Sequence, residues 1–250
     1  MKAKAQSQAP KSLFVVSLPR SLSSEIYHAC RRSLGLHEPS WTSDGEILNA
    51  DRFALLPQPN NDFSNKFTQE TTERNIFQKL SEFLGQIVVQ RGYAYKDVVQ
   101  PFVAIAWLKK NRLPTIRIKR NVADVAYSML NNHWHYPRRI FPDTDCLELA
   151  MVQGLLHAER VLDSIPAQEI DFEKVIYDEE PLRSALYALY GDFPNRKVKY
   201  IDREFRRRRE EIIKRRSTRH YQLILGYVWE ARQTLEEKSK ISKSAFLTPS

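Results

Sequence analysis

The stretch Leu13-Phe14-Val15-Val16-Ser17-Leu18-Pro19-Arg20-Ser21-Leu22-Ser23-Ser24-Glu25 decides how the chain is read. Its first four residues are uniformly apolar and do not alternate. That is the pattern of a strand covered on both faces. Pro19 then breaks the strand. After it, Leu22, Ile26, Ala29 and Cys30 fall at helical spacing behind a serine-rich start suited to capping. The reading is strand, tight loop, helix. Such a junction turns backbone N–H groups and the positive end of a helix dipole toward one point, where anions bind. Arg20 adds a fixed charge, and Ser21, Ser23 and Ser24 add hydroxyl donors. A capped helix with a surface arginine would look the same in sequence. The loop lacks the G-x-x-x-x-G-K-[ST] pattern of nucleotide triphosphatases.

Outward from this stretch, short apolar runs alternate with helical patterns. Residues 37–72 are irregular and rich in Pro, Asn, Asp and Thr, a surface excursion of the kind that lines a substrate site. Phe77, Leu80, Phe83, Leu84, Ile87 and Val88 mark an amphipathic helix. Tyr93 to Val99 reads as a second strand and Phe102 to Lys110 as a short helix. Thr115 to Lys119 reads as a third strand, with a helix from Asp124 to Leu130. A long helix is expected from Cys146 to Leu162, a strand from Ile170 to Val175, and a helix from Pro181 to Tyr190 stopped by Gly191. Residues 202–236 read as one or two charged helices. The predicted fold class is α/β, a central mainly parallel sheet flanked by helices, of the P-loop-containing nucleotide-binding type. The expected organisation is a flexible N-terminus over 1–11, one domain over 12–236 and a tail over 237–250.

Length and composition fit this. The chain has 250 residues, 42% apolar and 28% charged, enough for a full core without staples. Its two cysteines, Cys30 and Cys146, show no metal-ligand spacing and form no disulfide framework. No metal is expected. The first apolar run is too short for a signal peptide or membrane span, so the expected location is cytoplasmic, with no membrane partner. The net charge of +9 is concentrated: residues 196–220 hold twelve Lys and Arg against four Asp and Glu, while residues 1–195 balance to zero. That segment calls for an anionic partner or a solvated helix face.

A second stretch repeats the architecture of the first. In Arg120-Asn121-Val122-Ala123-Asp124-Val125-Ala126-Tyr127-Ser128 a strand ends in arginine, the chain turns, and a helix carries Ser128. Parallel sheets bind ligands at the carboxyl ends of their strands, and both stretches sit at such ends.

Together the two stretches resemble the sulfotransferase family that uses 3′-phosphoadenylyl sulfate (PAPS). There, P-[KR]-[ST]-G-[ST]-[ST] binds the 5′-phosphosulfate and R-[DN]-P-x-[DE]-x-x-x-S binds the 3′-phosphate. Pro19 to Ser24 and Arg120 to Ser128 stand in those places, in the right order and about a hundred residues apart. Tyr95 to Pro101 resembles the family's central K-x-x-x-P strand end, and Ile170 to Val175 with Pro181 and Leu189 to Gly191 a later stretch, so the likeness spans residues 12–191. Leu22 stands where the family has glycine, and Val122 where it has proline. No histidine of catalytic type follows Lys96.

The resemblance implies a PAPS-dependent sulfotransferase acting on a small-molecule acceptor and releasing 3′,5′-adenosine bisphosphate (PAP), with no metal. It implies catalytic roles for Arg20 at the leaving phosphate and Lys96 at the sulfonate. For the general base, Asp97 is the first choice, followed by His133 or His135 in an aromatic loop over 131–142. Cofactor binding falls to Arg20, Ser21, Leu22, Ser23, Ser24 and Glu25, and to Arg120 with Ser128. A basic C-terminal stretch in the family closes over the nucleotide, a place taken here by Lys214 to Arg219 with Arg216 and Ser217. Two other readings stay open: a P-loop kinase or nucleotide phosphotransferase, and a non-catalytic nucleic-acid-binding protein built on residues 196–220. Sparse aromatic residues in that segment make nucleic acid the less favoured partner.

Overall fold

The computed structural model describes residues 12–42, 44–48, 66–98, 100–193 and 198–245. The expected N-terminal segment 1–11, much of the 37–72 excursion and Val99 lie outside them.

Among the described residues four strands form one sheet in the order β2-β1-β3-β4, with β1 Leu13–Ser17, β2 Ala94–Asp97, β3 Thr115–Lys119 and β4 Gln168–Asp171. All three pairings are parallel, Phe14 lying opposite Tyr95 on one side and Thr115 on the other. The uniform apolar run of β1 is explained by its central place. Leu13 and Val15 point into one core, with Ile26, Cys30 and Leu182. Phe14 and Val16 point into the other, with Trp107, Met129 and Leu155. Period-2 alternation thus divides one apolar run between two layers of helices.

On the first face lie α1 Ser23–Leu34, α6 Phe172–Val175, α7 Glu180–Tyr190 and α8 Arg203–Arg215. On the second lie α2 Arg74–Gln86, α3 Pro101–Asn111, α4 Val122–Leu130, α5 Leu147–Asp163 and α9 Arg219–Ala245. A short 3-10 helix, Tyr136–Ile140, packs against α5. The approach is so close that a Cβ on Gly154 would lie 2.1 Å from the Pro137 carbonyl oxygen. Both cysteines are free. Among the described residues no helix is long and apolar enough to cross a membrane.

Several boundaries differ from expectation: α2 stops at Gln86, short of Ile87 and Val88, and α4 begins at Val122 rather than Asp124. The strand expected over Ile170 to Val175 stops at Asp171, whose Oδ1 accepts the Glu173 N–H at 2.9 Å and starts α6. A side-chain cap outcompetes the sheet ladder there. The second strand ends at Asp97 because its Oδ2 accepts the Gln100 N–H at 3.0 Å and turns the chain into α3. The last helix runs on to Ala245, into the residues read as a tail.

Candidate nucleotide and acceptor cleft

The loop after β1 carries two left-handed residues, Arg20 at φ 61 and Leu22 at φ 54, with Ser21 of ordinary φ between them. Such alternation brings successive N–H groups into a concave, anion-binding arrangement. Leu22 holds the conformation a glycine would supply freely, at a cost of about 1–2 kcal/mol. It is also the N-cap of α1 and offers no side-chain oxygen, so the first N–H groups of that helix face the cleft uncapped. Ser21 is fully buried beneath the loop.

The second stretch meets the first across a cavity of about 650 Å³. Asn121 caps α4 by accepting the Ala123 N–H at 2.9 Å. That turn sets Arg120 and Ser128 on the cleft wall. Arg20 Nε donates to Ser128 Oγ at 3.2 Å, and an Arg120 guanidinium N–H donates to the Arg20 carbonyl. Arg20 also stacks on Trp134, 5.0 Å from the ring centroid. Partial burial lowers its pKa below the ordinary arginine range.

Arg120 is 7% exposed, and its guanidinium lies 4.2 Å from the Phe172 ring centroid. Among the described residues its Nε has no hydrogen-bond partner and no carboxylate pairs with it. Burial pushes its pKa down to about 10, against the opposing charges of Asp124 and Glu173. Arg117 on β3, three residues earlier, is also buried yet conventionally satisfied, by Asp163 at 2.6 Å and Glu169 at 2.9 Å. A buried guanidinium without a carboxylate is held at a cost of several kcal/mol unless an anion joins it.

Lys96 is fully buried beneath α1. Its Nζ donates to Ser24 Oγ at 2.8 Å and lies 3.4 Å from Glu46 Oε1. It therefore reaches the cleft through Ser24 rather than directly. Ser24 in turn donates to Asp44, whose other oxygen meets His28 Nε2 at 3.0 Å. Burial alone would raise the Asp44 carboxyl. Hydrogen bonds from His28 and Ser24, with the charge of Lys96, instead hold it below the usual range.

Several candidates sit elsewhere than the sequence suggests. Asp97 is fully buried, its Oδ2 receives the Gln100 N–H at the start of α3, and it is not among the residues that line the cleft. His133 is exposed in a tight turn at φ 56, its ring against His135, and does not line the cleft. Arg216 is bound by two carboxylates, Asp124 and Glu173. Ser217 closes the end of α8 by donating to the Lys214 carbonyl at 2.8 Å.

Other residues take their places. Glu46 lines the cleft, carried there by Ile47 N–H and Gly45 carbonyl bonds to the Lys96 backbone, 3.0 and 2.7 Å. The sequence signal for it is the Asp44-Gly45 turn pair. Gly45 sits at φ 71, where a Cβ would fall 2.3 Å from the Tyr27 ring. Trp134 and Tyr136 of the aromatic loop, with Lys66, line the same end. From α8 come Arg207, Arg208 and Arg215. Arg208 pairs with Glu25, and Glu211 receives Arg207 at 2.7 Å and Arg215 at 3.5 Å. Consecutive arginines diverge around a helix, and Arg209 turns instead to the Tyr177 ring.

No family model matches the chain, and no curated protein matches it. Among solved structures it is similar to a sulfotransferase domain from the curacin biosynthetic pathway, at 15% identity, covering 80% of this chain and 77% of that one, with a TM-score of 0.41. This is a likeness of chain trace at low identity, and the functional reading rests on the cleft instead.

Proposed function

We propose that the chain is a sulfotransferase of P-loop type that moves a sulfonate group from PAPS to a hydroxyl or amine of a small-molecule acceptor. The observation that carries the reading is Arg120, a buried cleft arginine that no carboxylate of the described residues pairs with. Beside it stands Arg20, likewise without a carboxylate at ion-pair distance among those residues. Both follow the carboxyl ends of adjacent parallel strands. Two such cations suit a ligand anionic at two separated points, as a 3′-phosphorylated nucleotide is.

In this reading the loop at Arg20 to Glu25 takes the 5′-phosphosulfate, and Arg120 with Ser128 takes the 3′-phosphate. The acceptor oxygen or nitrogen attacks sulfur in line with the departing 5′-phosphate. The bond between sulfur and the bridging oxygen breaks, and its electron pair goes to that phosphate. Arg20 and the uncapped start of α1 face the charge as it grows, so they stabilise the transition state more than the ground state. Lys96 fixes Ser24 in that array. The acceptor proton needs a base within reach of the cleft. Glu46 takes that role in this reading, since it lines the cleft and Asp97 does not. Arg207, Arg208 and Arg215 of α8 close the other wall.

Calorimetric titration with PAP and with adenosine 5′-phosphate tests the reading. The wild type should bind the bisphosphate more tightly, and Arg120→Ala should erase the difference. Absence of wild-type PAP binding up to about 1 mM, a free energy near −4 kcal/mol, would overturn it. Magnesium-dependent ATP binding indifferent to a 3′-phosphate would replace it with the phosphotransferase reading.

A further inference from the structure

Arg216 does not line the cleft, yet its two partners flank the residue that carries the functional reading. Its Nε donates to Asp124 Oδ1 at 3.1 Å and its Nη1 to Glu173 Oε2 at 3.0 Å, while Nη2 binds the second oxygen of each. One guanidinium thus takes two carboxylates, each through both oxygens. Asp124, 4% exposed, follows Arg120 by four residues across the α4 cap. Glu173 follows Phe172, over whose ring Arg120 sits, and shares with Arg120 the wall of a second cavity between β4 and α9. Both carboxylates are therefore neighbours of Arg120, and neither pairs with it.

Electrostatics alone would not leave them so. A buried arginine beside two carboxylates ordinarily forms the ion pair, as Arg117 does with Asp163 and Glu169. At Arg117 the competing cation, Lys119, stands off at 3.7 and 3.9 Å from the same carboxylates, whereas near Arg120 the Arg216 guanidinium takes both oxygens of each. The pKa of Arg216 is raised above the arginine range, first by its hydrogen bonds to Asp124 and Glu173. All four of those oxygens are engaged by Arg216.

We propose that Arg216 is a positioning residue that sequesters Asp124 and Glu173, and so keeps the Arg120 guanidinium free for an anionic ligand. The proposal rests on the reading of Arg120 as the 3′-phosphate site, and it assigns Arg216 no contact with the ligand. Without Arg216 the two carboxylates turn to Arg120 and fill the anion site from within. Arg216 ends α8, so the same contact pins the arginine wall of the cleft. The two roles separate by experiment, because only sequestration is undone by deleting the carboxylates.

The test compares wild type, Arg216→Ala and the triple variant Arg216→Ala, Asp124→Asn, Glu173→Gln, titrated with PAP and with adenosine 5′-phosphate. Arg216→Ala should lose PAP affinity at least about thirtyfold, the effect of mispairing a buried charge, with adenosine 5′-phosphate little affected. The triple variant should recover to within about threefold of wild type. A triple variant that folds but binds PAP as weakly as Arg216→Ala, or an Arg216→Ala that binds as wild type does, overturns the proposal. If Arg216→Ala does not fold, the triple variant against wild type decides alone. A crystal structure of ligand-free Arg216→Ala, or of Arg216→Gln, supplies a readout without nucleotide. Asp124 or Glu173 should lie within ion-pair distance of Arg120, and an Arg120 still without a carboxylate overturns the inference. Failure of wild-type PAP binding would instead overturn the proposed function, leaving that structural readout to judge Arg216.

Discussion

Arg20 and Ser128 lie 108 residues apart in sequence and are joined by a hydrogen bond of 3.2 Å across the mouth of the cleft. The bond ties the loop after β1 to the helix after β3, the two halves of the proposed nucleotide site. One hydroxyl orients the loop arginine and stands ready to donate to a phosphate beside Arg120. Ser128→Ala should therefore weaken PAP binding about three- to tenfold, the worth of one hydrogen bond. Thermal melting should move little. An unchanged PAP affinity would mean that the two halves do not act on one ligand.

Leu22 pays conformational energy that glycine would not. At φ 54 its side chain packs, half-buried, against the core beneath α1. Leu22→Ala loses that packing and keeps the backbone strain, while Leu22→Gly loses the packing and relieves it. Chemical denaturation should find Leu22→Gly more stable than Leu22→Ala by about 1 kcal/mol. The opposite order would show that the loop is not strained at this residue.

Glu46 and Asp97 make opposite predictions. Glu46 lines the cleft beside Lys96, so Glu46→Gln should lower kcat by about 10²–10⁴-fold while PAP binding holds or tightens. Asp97 holds the start of α3, so Asp97→Ala should cost about 1–2 kcal/mol of stability. Steady-state kinetics and urea melts on both variants separate the two roles. A large kcat loss in folded Asp97→Asn with none in Glu46→Gln would return the base to Asp97.

His157 sets an acid limit on the fold. Its ring stacks on Phe102 at 5.4 Å and meets Phe141 edge-on, and burial lowers its pKa below the ordinary value of 6.5. The unfolded chain then binds the proton more readily than the folded one. Stability from this residue is fully present above 6.5 and is lost as pH falls through the lower folded value. His157→Phe should flatten that part of the melting-temperature profile between about pH 7 and pH 5. An unchanged slope would place the acid sensitivity elsewhere.

Much of the fold was legible because it follows from local pattern. The apolar run of β1, the alternating Ile116 and Ile118 of β3 and the helical spacing of α2, α5 and α7 each report how a segment is buried. Burial imposes its period on the sequence directly. Boundaries set by single side chains were harder to see. Asp171 and Asp97 both end strands by accepting a backbone N–H, and an aspartate after a strand carries no mark of whether it will cap or face a ligand.

The sequence by itself determined that two arginines, each followed by a helix, stand at the ends of parallel strands about a hundred residues apart. A strand followed by a helix must place its junction at the carboxyl edge of the sheet, whatever the rest of the chain does. Only the tertiary structure decided which charges those arginines would meet. Arg117 and Arg120 are three residues apart and alike in burial, yet one is paired and the other is not. The carboxylates nearest Arg120, Asp124 and Glu173, are bound instead by Arg216, brought from 96 positions further along the chain. Ion pairing depends on distances of a few ångströms between groups remote in sequence, and no local pattern encodes those.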